Sequence, residues 1–168
     1  MRHSFLVAMA TFLLVANLAI AGEKYVVVQN PRVVATLRFS VKALGLDEDP
    51  VLLNAGSGVD VRLCQVFRAE KGQLAGKIVV LASEEALGWD TLTLTAVFAH
   101  ELAHVILGHV SGVGNSSAQE AEADALAAKA VGVKAVSRMQ ERVFSRPASG
   151  VAELQVRQAR LQAVRQYQ

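Results

Sequence analysis

The chain of 168 residues holds one cysteine, Cys64, so it cannot close an internal disulfide. Cys64 sits in an alternating apolar stretch and reads as buried filler rather than a nucleophile or ligand. Neither sign of charge dominates: 17 Lys and Arg face 15 Asp and Glu, which argues against general nucleic-acid binding. The balance is uneven along the chain, because Lys134 and six arginines outweigh Glu141 and Glu153 after position 133. A solvated helical face accounts for that end, with contact to anionic lipid or a partner as the alternative. Internal repeats and low-complexity segments are missing. Only one long apolar run is present, and it lies at the start.

Met1-Arg2-His3 is a short basic start, Phe5 to Ala21 is almost wholly apolar, and Ala19-Ile20-Ala21 has the small-x-small pattern of a signal-peptidase site. These features predict a signal peptide over 1–21, cleaved after Ala21, and a single domain over 22–168 that is periplasmic or secreted. The alternative is an uncleaved anchor in the inner membrane formed by residues 5–21, the one circumstance in which membrane association is expected. The apolar run is at the short end for a spanning helix, and Asn17 interrupts it. No cysteine follows the run, so a lipid-modified N-terminus is not expected.

Beyond the leader, Asn30-Pro31 predicts the opening of a helix, with Val33, Val34, Leu37, Val41 and Leu44 along one side and Gly45 at its end. Val51 to Asn54 reads as a short strand. Val59 to Arg68 reads as a half-buried strand, with Val59, Val61, Leu63 and Phe67 inward and Asp60, Arg62 and Arg68 outward. A hairpin loop begins at Glu70-Lys71-Gly72, and Lys77 to Leu81 is the partner strand. The rest is helical. One helix is capped by Asp90 or Thr91 and runs to about Val110, and a second spans about Ala118 to Val131, with Gly132 as its stop. A third covers about Lys134 to Phe144, and a fourth after Gly150 carries Val151, Leu154, Leu161 and Val164. The expected fold class is α+β: a small antiparallel sheet packed on a helical core.

The chemistry is concentrated in His100-Glu101-Leu102-Ala103-His104. Residues four apart on a helix stand about 40° from each other, so both imidazoles leave one face and can share a tetrahedral cation. Glu101 lies about 100° round from His100, beside such a metal, where it can take a proton from metal-bound water. In a chain of this composition the motif is expected by chance roughly 0.006 times. Two histidines do not hold zinc alone, and three candidates exist for the next ligand. On a continuous helix His109 stands about 140° round from His104 and points away. A metzincin needs glycine and histidine where Leu107 and Val110 stand, so that arrangement is excluded. In Glu120-Ala121-Glu122-Ala123-Asp124, Glu120 and Asp124 share a face and Glu122 points about 200° away from Glu120. If the two helices form an antiparallel hairpin, Glu120 returns to the level of His104 as a carboxylate ligand. Asp124, one turn on, can then accept the spare N–H of a zinc histidine. Ser117 and Glu120 also fit a capping box, which offers Glu120 a structural role instead.

The phrase from Ala99 to His104, with Gly108-His109 and then Glu-x-Glu-Ala-Asp, resembles the HtpX and CAAX-prenyl-endopeptidase group of gluzincins over roughly residues 75–132. The resemblance implies a zincin-type helical core with one Zn(2+) per chain on His100, His104 and Glu120, and Glu101 as catalytic base. It also implies a polypeptide substrate whose backbone pairs with the strand from Lys77 to Leu81. Two features depart from that group. The gap from His104 to Glu120 is short, as in smaller gluzincins of other branches. A late Ser/Thr-His-Pro is replaced by Ser145-Arg146-Pro147, so Arg146 is the candidate for steadying an oxyanion. The expectation is an exported zinc-dependent endopeptidase. A zinc-binding chaperone-like or protein-binding domain with little hydrolysis is the alternative, and a metal-free helical domain a third.

Overall fold

The structure is a computed structural model that describes residues 25–55, 63–109, 116–145, 147–148 and 150–167. The expected signal peptide, Val59, Val61 and Arg146 lie outside the described residues.

A four-stranded sheet packs on a helical layer, in line with the α+β class. The strands are β1 (Tyr25–Val27), β2 (Val51–Ala55), β3 (Cys64–Arg68) and β4 (Ile78–Ser83). The helices are α1 (Pro31–Ala43), the single turn α2 (Glu84–Leu87), α3 (Thr91–Ile106), α4 (Ser117–Val131), α5 (Val133–Val143) and α6 (Val151–Arg165). Among the described residues no helix is long and apolar enough to cross a membrane.

The sheet is mixed, which corrects the antiparallel expectation. Its order is β1-β2-β4-β3, and β2 runs parallel to β4 while the two outer pairings are antiparallel. A hairpin explains only β3 with β4. The chain leaves β2, forms β3 and returns through β4 between the two, a crossover that local alternation cannot reveal. As an inner strand β4 is buried on both faces, as its run Ile78-Val79-Val80-Leu81-Ala82 suggests. It is also bonded along both sides, so the strand pairing expected for a substrate at Lys77 to Leu81 has no side left to use. That expectation is corrected.

The phase of β3 also differs from expectation. Val66 is buried with Leu52, Ile78, Val80 and Ala82 against the helices, and Phe67 is exposed. A one-residue shift in a strand exchanges its two faces, and register against β4 decides which shift occurs.

α1 opens as its sequence suggests: the Asn30 side chain accepts from the Arg32 N–H at 3.1 Å, with Pro31 at the first position. α3 is the central rod. Leu94, Phe98 and Leu102 enter the core shared with the sheet and α1, while Ala96, Val97 and Ala99 meet α4 and α5. The facing surface of α4 is also small, built from Ala127 and Ala128. Alanine against alanine lets two helix axes approach closely, and this spacing brings the polar residues of α3 and α4 within reach of each other. Cys64 is partly buried and packs against both cores. Burial, with the charge of Glu101 nearby, pushes its thiol up.

Candidate metal centre

Where α3 ends determines the site. Asp90 caps its start, accepting from the Thr93 N–H at 3.1 Å. The helix stops at Ile106 rather than near Val110, because Gly108 takes a φ of 69° and the chain turns back. The Gly108 N–H donates to the Val105 carbonyl and the His109 N–H to the His104 carbonyl, a Schellman ending that glycine favours. His109 is therefore not carried 140° round the helix. It folds back onto His104, with Nδ1 of each ring 2.7 Å apart, which corrects its expected outward direction.

α4 starts with a capping box one residue earlier than expected. Ser116 Oγ accepts from the Gln119 N–H at 3.2 Å, and Gln119 Oε1 accepts from the Ser116 N–H at 2.9 Å. Glu120 is thereby spared the capping role. α3 and α4 run antiparallel, since Glu120 reaches His104 while Asp124, a turn on, reaches only His100.

Donor groups of three residues converge between them. His100 Nε2 and His104 Nε2 are 3.1 Å apart, His100 Nε2 is 3.3 Å from Glu120 Oε2, and His104 Nε2 is 3.5 Å from Glu120 Oε1. Donors about 2.0–2.2 Å from one tetrahedral zinc stand about 3.3–3.6 Å from each other. The two spacings to Glu120 match that size and the two imidazoles stand slightly closer, so buried His100 and His104 with half-buried Glu120 lie close enough to hold a metal ion.

The surrounding groups orient the donors. His100 Nδ1 lies 2.7 Å from Asp124 Oδ1, at hydrogen-bond distance but bent from the N–H direction. A proton on Nδ1 faces that carboxylate and leaves Nε2 bare toward the other donors. Asp124 is fully buried. It also accepts from Gln140 Nε2 at 2.9 Å, from Arg160 Nε at 2.6 Å and from Arg160 Nη2 at 3.1 Å. Arg160 Nη1 stands 3.1 Å from Glu120 Oε2.

These contacts set the charges of the metal-free cluster. Burial alone would lower His100, but the Asp124 and Glu120 carboxylates outweigh it and hold the imidazole up at about 9. Burial would raise Asp124, yet His100 and Arg160 bring it down to about 2. Glu120 likewise overcomes its burial, and His100 and His104 hold it far below the usual carboxylate range. His104 is lowered, chiefly by burial. Glu101 is raised to about 7, mainly by burial, with the charges of His100, Glu120, Arg160 and Asp124 all acting on it. It stands beside the donor triangle and not in it, and near pH 7 it can both take and return a proton.

Arg160 and Gln140 are the residues that sequence reading missed. Arg160 had one legible signal: it lies three and four positions before Ala163 and Val164, on the face of α6 that turns inward. Leu154 and Leu161 are exposed on α6, while Arg160, Ala163 and Val164 are its buried residues. Arg146, the expected oxyanion partner, lies outside the described residues. Comparison of the chain with protein-family models, curated proteins and solved structures gives no match.

Proposed function

We propose that the chain is a zinc-dependent endopeptidase with a zincin-type core, holding one Zn(2+) on His100, His104 and Glu120. The carrying observation is the 3.1–3.5 Å donor triangle with partly buried Glu101 next to it. Two imidazoles and one carboxylate are a donor set that suits zinc and leaves a fourth position open. A bound zinc supplies Lewis acidity there, polarising a carbonyl and making water acidic at neutral pH. Glu101 accepts the proton of the attacking water on its carboxylate and later returns it to the departing amine. Asp124 holds His100 in one tautomer, and Arg160 holds Glu120 and offsets the charge of both carboxylates. The likeness to the gluzincin group in the segment around His100 and Glu120 supports the same reading. Export, by cleavage after Ala21, follows from the leader pattern and places the activity in the periplasm or outside the cell.

A second reading is a zinc-bearing protein-binding domain with little hydrolysis. One observation favours it: among the described residues the arginine at the centre is Arg160, and each of its three guanidinium nitrogens already bonds Asp124 or Glu120, which fixes it on those carboxylates rather than on an oxyanion. Metal analysis together with peptide hydrolysis by wild type and Glu101→Gln separates the two. Hydrolysis by the wild type that vanishes in E101Q supports the peptidase. A zinc-loaded wild type with no hydrolysis of any peptide supports the binding domain.

A further inference from the structure

The two histidines of the donor triangle need the same service: a partner on Nδ1 that fixes the ring and leaves Nε2 bare. Asp124 gives it to His100. For His104 the partner on Nδ1 is another imidazole, His109, at 2.7 Å. His109 is itself nearly buried, its side chain 7% exposed, and its Nε2 is 3.3 Å from Glu122 Oε2. Only one assignment of protons satisfies all these atoms while keeping His104 Nε2 a donor to metal. His104 Nδ1–H donates to His109 Nδ1, and His109 Nε2–H donates to Glu122.

We infer that His109 is a positioning residue for His104, with Glu122 fixing the tautomer of His109, so that a Glu122–His109–His104 chain orients the metal donor. The inference rests on the proposed metal centre and deepens it. A carboxylate that buttresses a metal histidine is a recurrent device, and here one imidazole is interposed between the two. Gly108 makes this possible, since only the reversal at its φ of 69° carries His109 back over His104. The three acids of α4 then share one task. Glu120 completes the triangle, Asp124 orients His100 directly, and Glu122 orients His104 through His109. Glu122 does point away from the donor triangle, and that direction is what lets it meet His109 from outside.

The test is zinc affinity, read by competition with a chromophoric chelator, for wild type, His109→Ala, His109→Asn and Glu122→Gln. The Asn amide oxygen stands where Nδ1 stood and can accept from His104, whereas Ala cannot. H109A should bind zinc about 10- to 100-fold more weakly, the usual loss when such a partner is removed. H109N should recover most of that loss, and E122Q should show a smaller loss in the same direction. Glu122 is exposed, so E122Q tests the chain even if H109A folds poorly. Equal affinity in H109A and wild type overturns the inference while leaving the centre standing. Equal weakening in H109A and H109N also overturns it, because His109 would then act by packing alone. A wild type that binds no zinc overturns the centre itself, and the inference with it.

Discussion

Arg160 donates to both oxygens of Asp124, from Nε at 2.6 Å and from Nη2 at 3.1 Å, across 36 residues of sequence. The pair is buried, and the third guanidinium nitrogen, Nη1, reaches Glu120, so α6 is tied to the middle of the proposed centre. Removing one partner of a buried ion pair leaves the other charge unmatched and costs about 3–5 kcal/mol. Arg160→Met should therefore lower the unfolding free energy of the metal-free protein, read from urea titration, by an amount of that order. Arg157→Met, next to it on α6 and paired with Glu153, should cost far less. Equal losses in the two variants would show that Arg160 acts only through its aliphatic stem.

Glu101→Gln should keep zinc at the wild-type level and abolish peptide hydrolysis, because an amide cannot accept the proton. Parallel metal analysis and single-turnover hydrolysis check this. Loss of zinc together with activity would move Glu101 into the donor set.

Glu120→Ala should strip the zinc, whereas Asp124→Asn should weaken its binding by about 10- to 100-fold. Equilibrium dialysis at one zinc concentration ranks them. The reverse ranking would exchange the roles of the two carboxylates.

The close approach of α3 and α4 depends on small side chains, so Ala127→Leu, which touches no donor, should still weaken zinc binding. Overpacking costs about 1–3 kcal/mol, and relieving it spreads the helices that carry His100 and Glu120. A destabilised variant with unchanged zinc affinity would contradict this coupling.

The metal-free protein should lose stability toward both ends of the pH range. His100 is raised from 6.5 to about 9, so its contribution is present below 6.5 and is lost as pH rises through about 9. Glu101, raised from 4.5 to about 7, loses its contribution earlier on the same side. Asp124 is lowered from 3.8 to about 2, so its contribution is present above 3.8 and is lost as pH falls through about 2. Thermal melts across that range check it. A midpoint constant from about pH 5 to about pH 10 would contradict the assigned pairings.

What was legible in the sequence was whatever a single helix or turn dictates. His100, Glu101 and His104 follow from helical spacing, and Glu120 with Asp124 from the same rule on the next helix. The cap at Asn30, the start at Asp90 and the stop at Gly132 are local chemistry too. The misses share one cause, in that each depends on a partner distant in sequence or on one glycine. The parallel pairing of β2 with β4 needs the crossover, and the inward face of β3 needs its register on β4. Arg160 looked like a surface charge until Asp124 was placed beside it. His109 was carried outward by helical arithmetic that ran past Gly108. Leu107-Gly108-His109, a helix ending followed by the left-handed position, was the available signal for that reversal.

The most direct test of the account is the zinc content of purified wild type, His100→Ala and His104→Ala, measured by inductively coupled plasma mass spectrometry after dialysis. The donor triangle predicts about one zinc per wild-type chain and only a trace in either variant. If both variants retain as much zinc as the wild type, the metal is held elsewhere and the proposed centre is wrong.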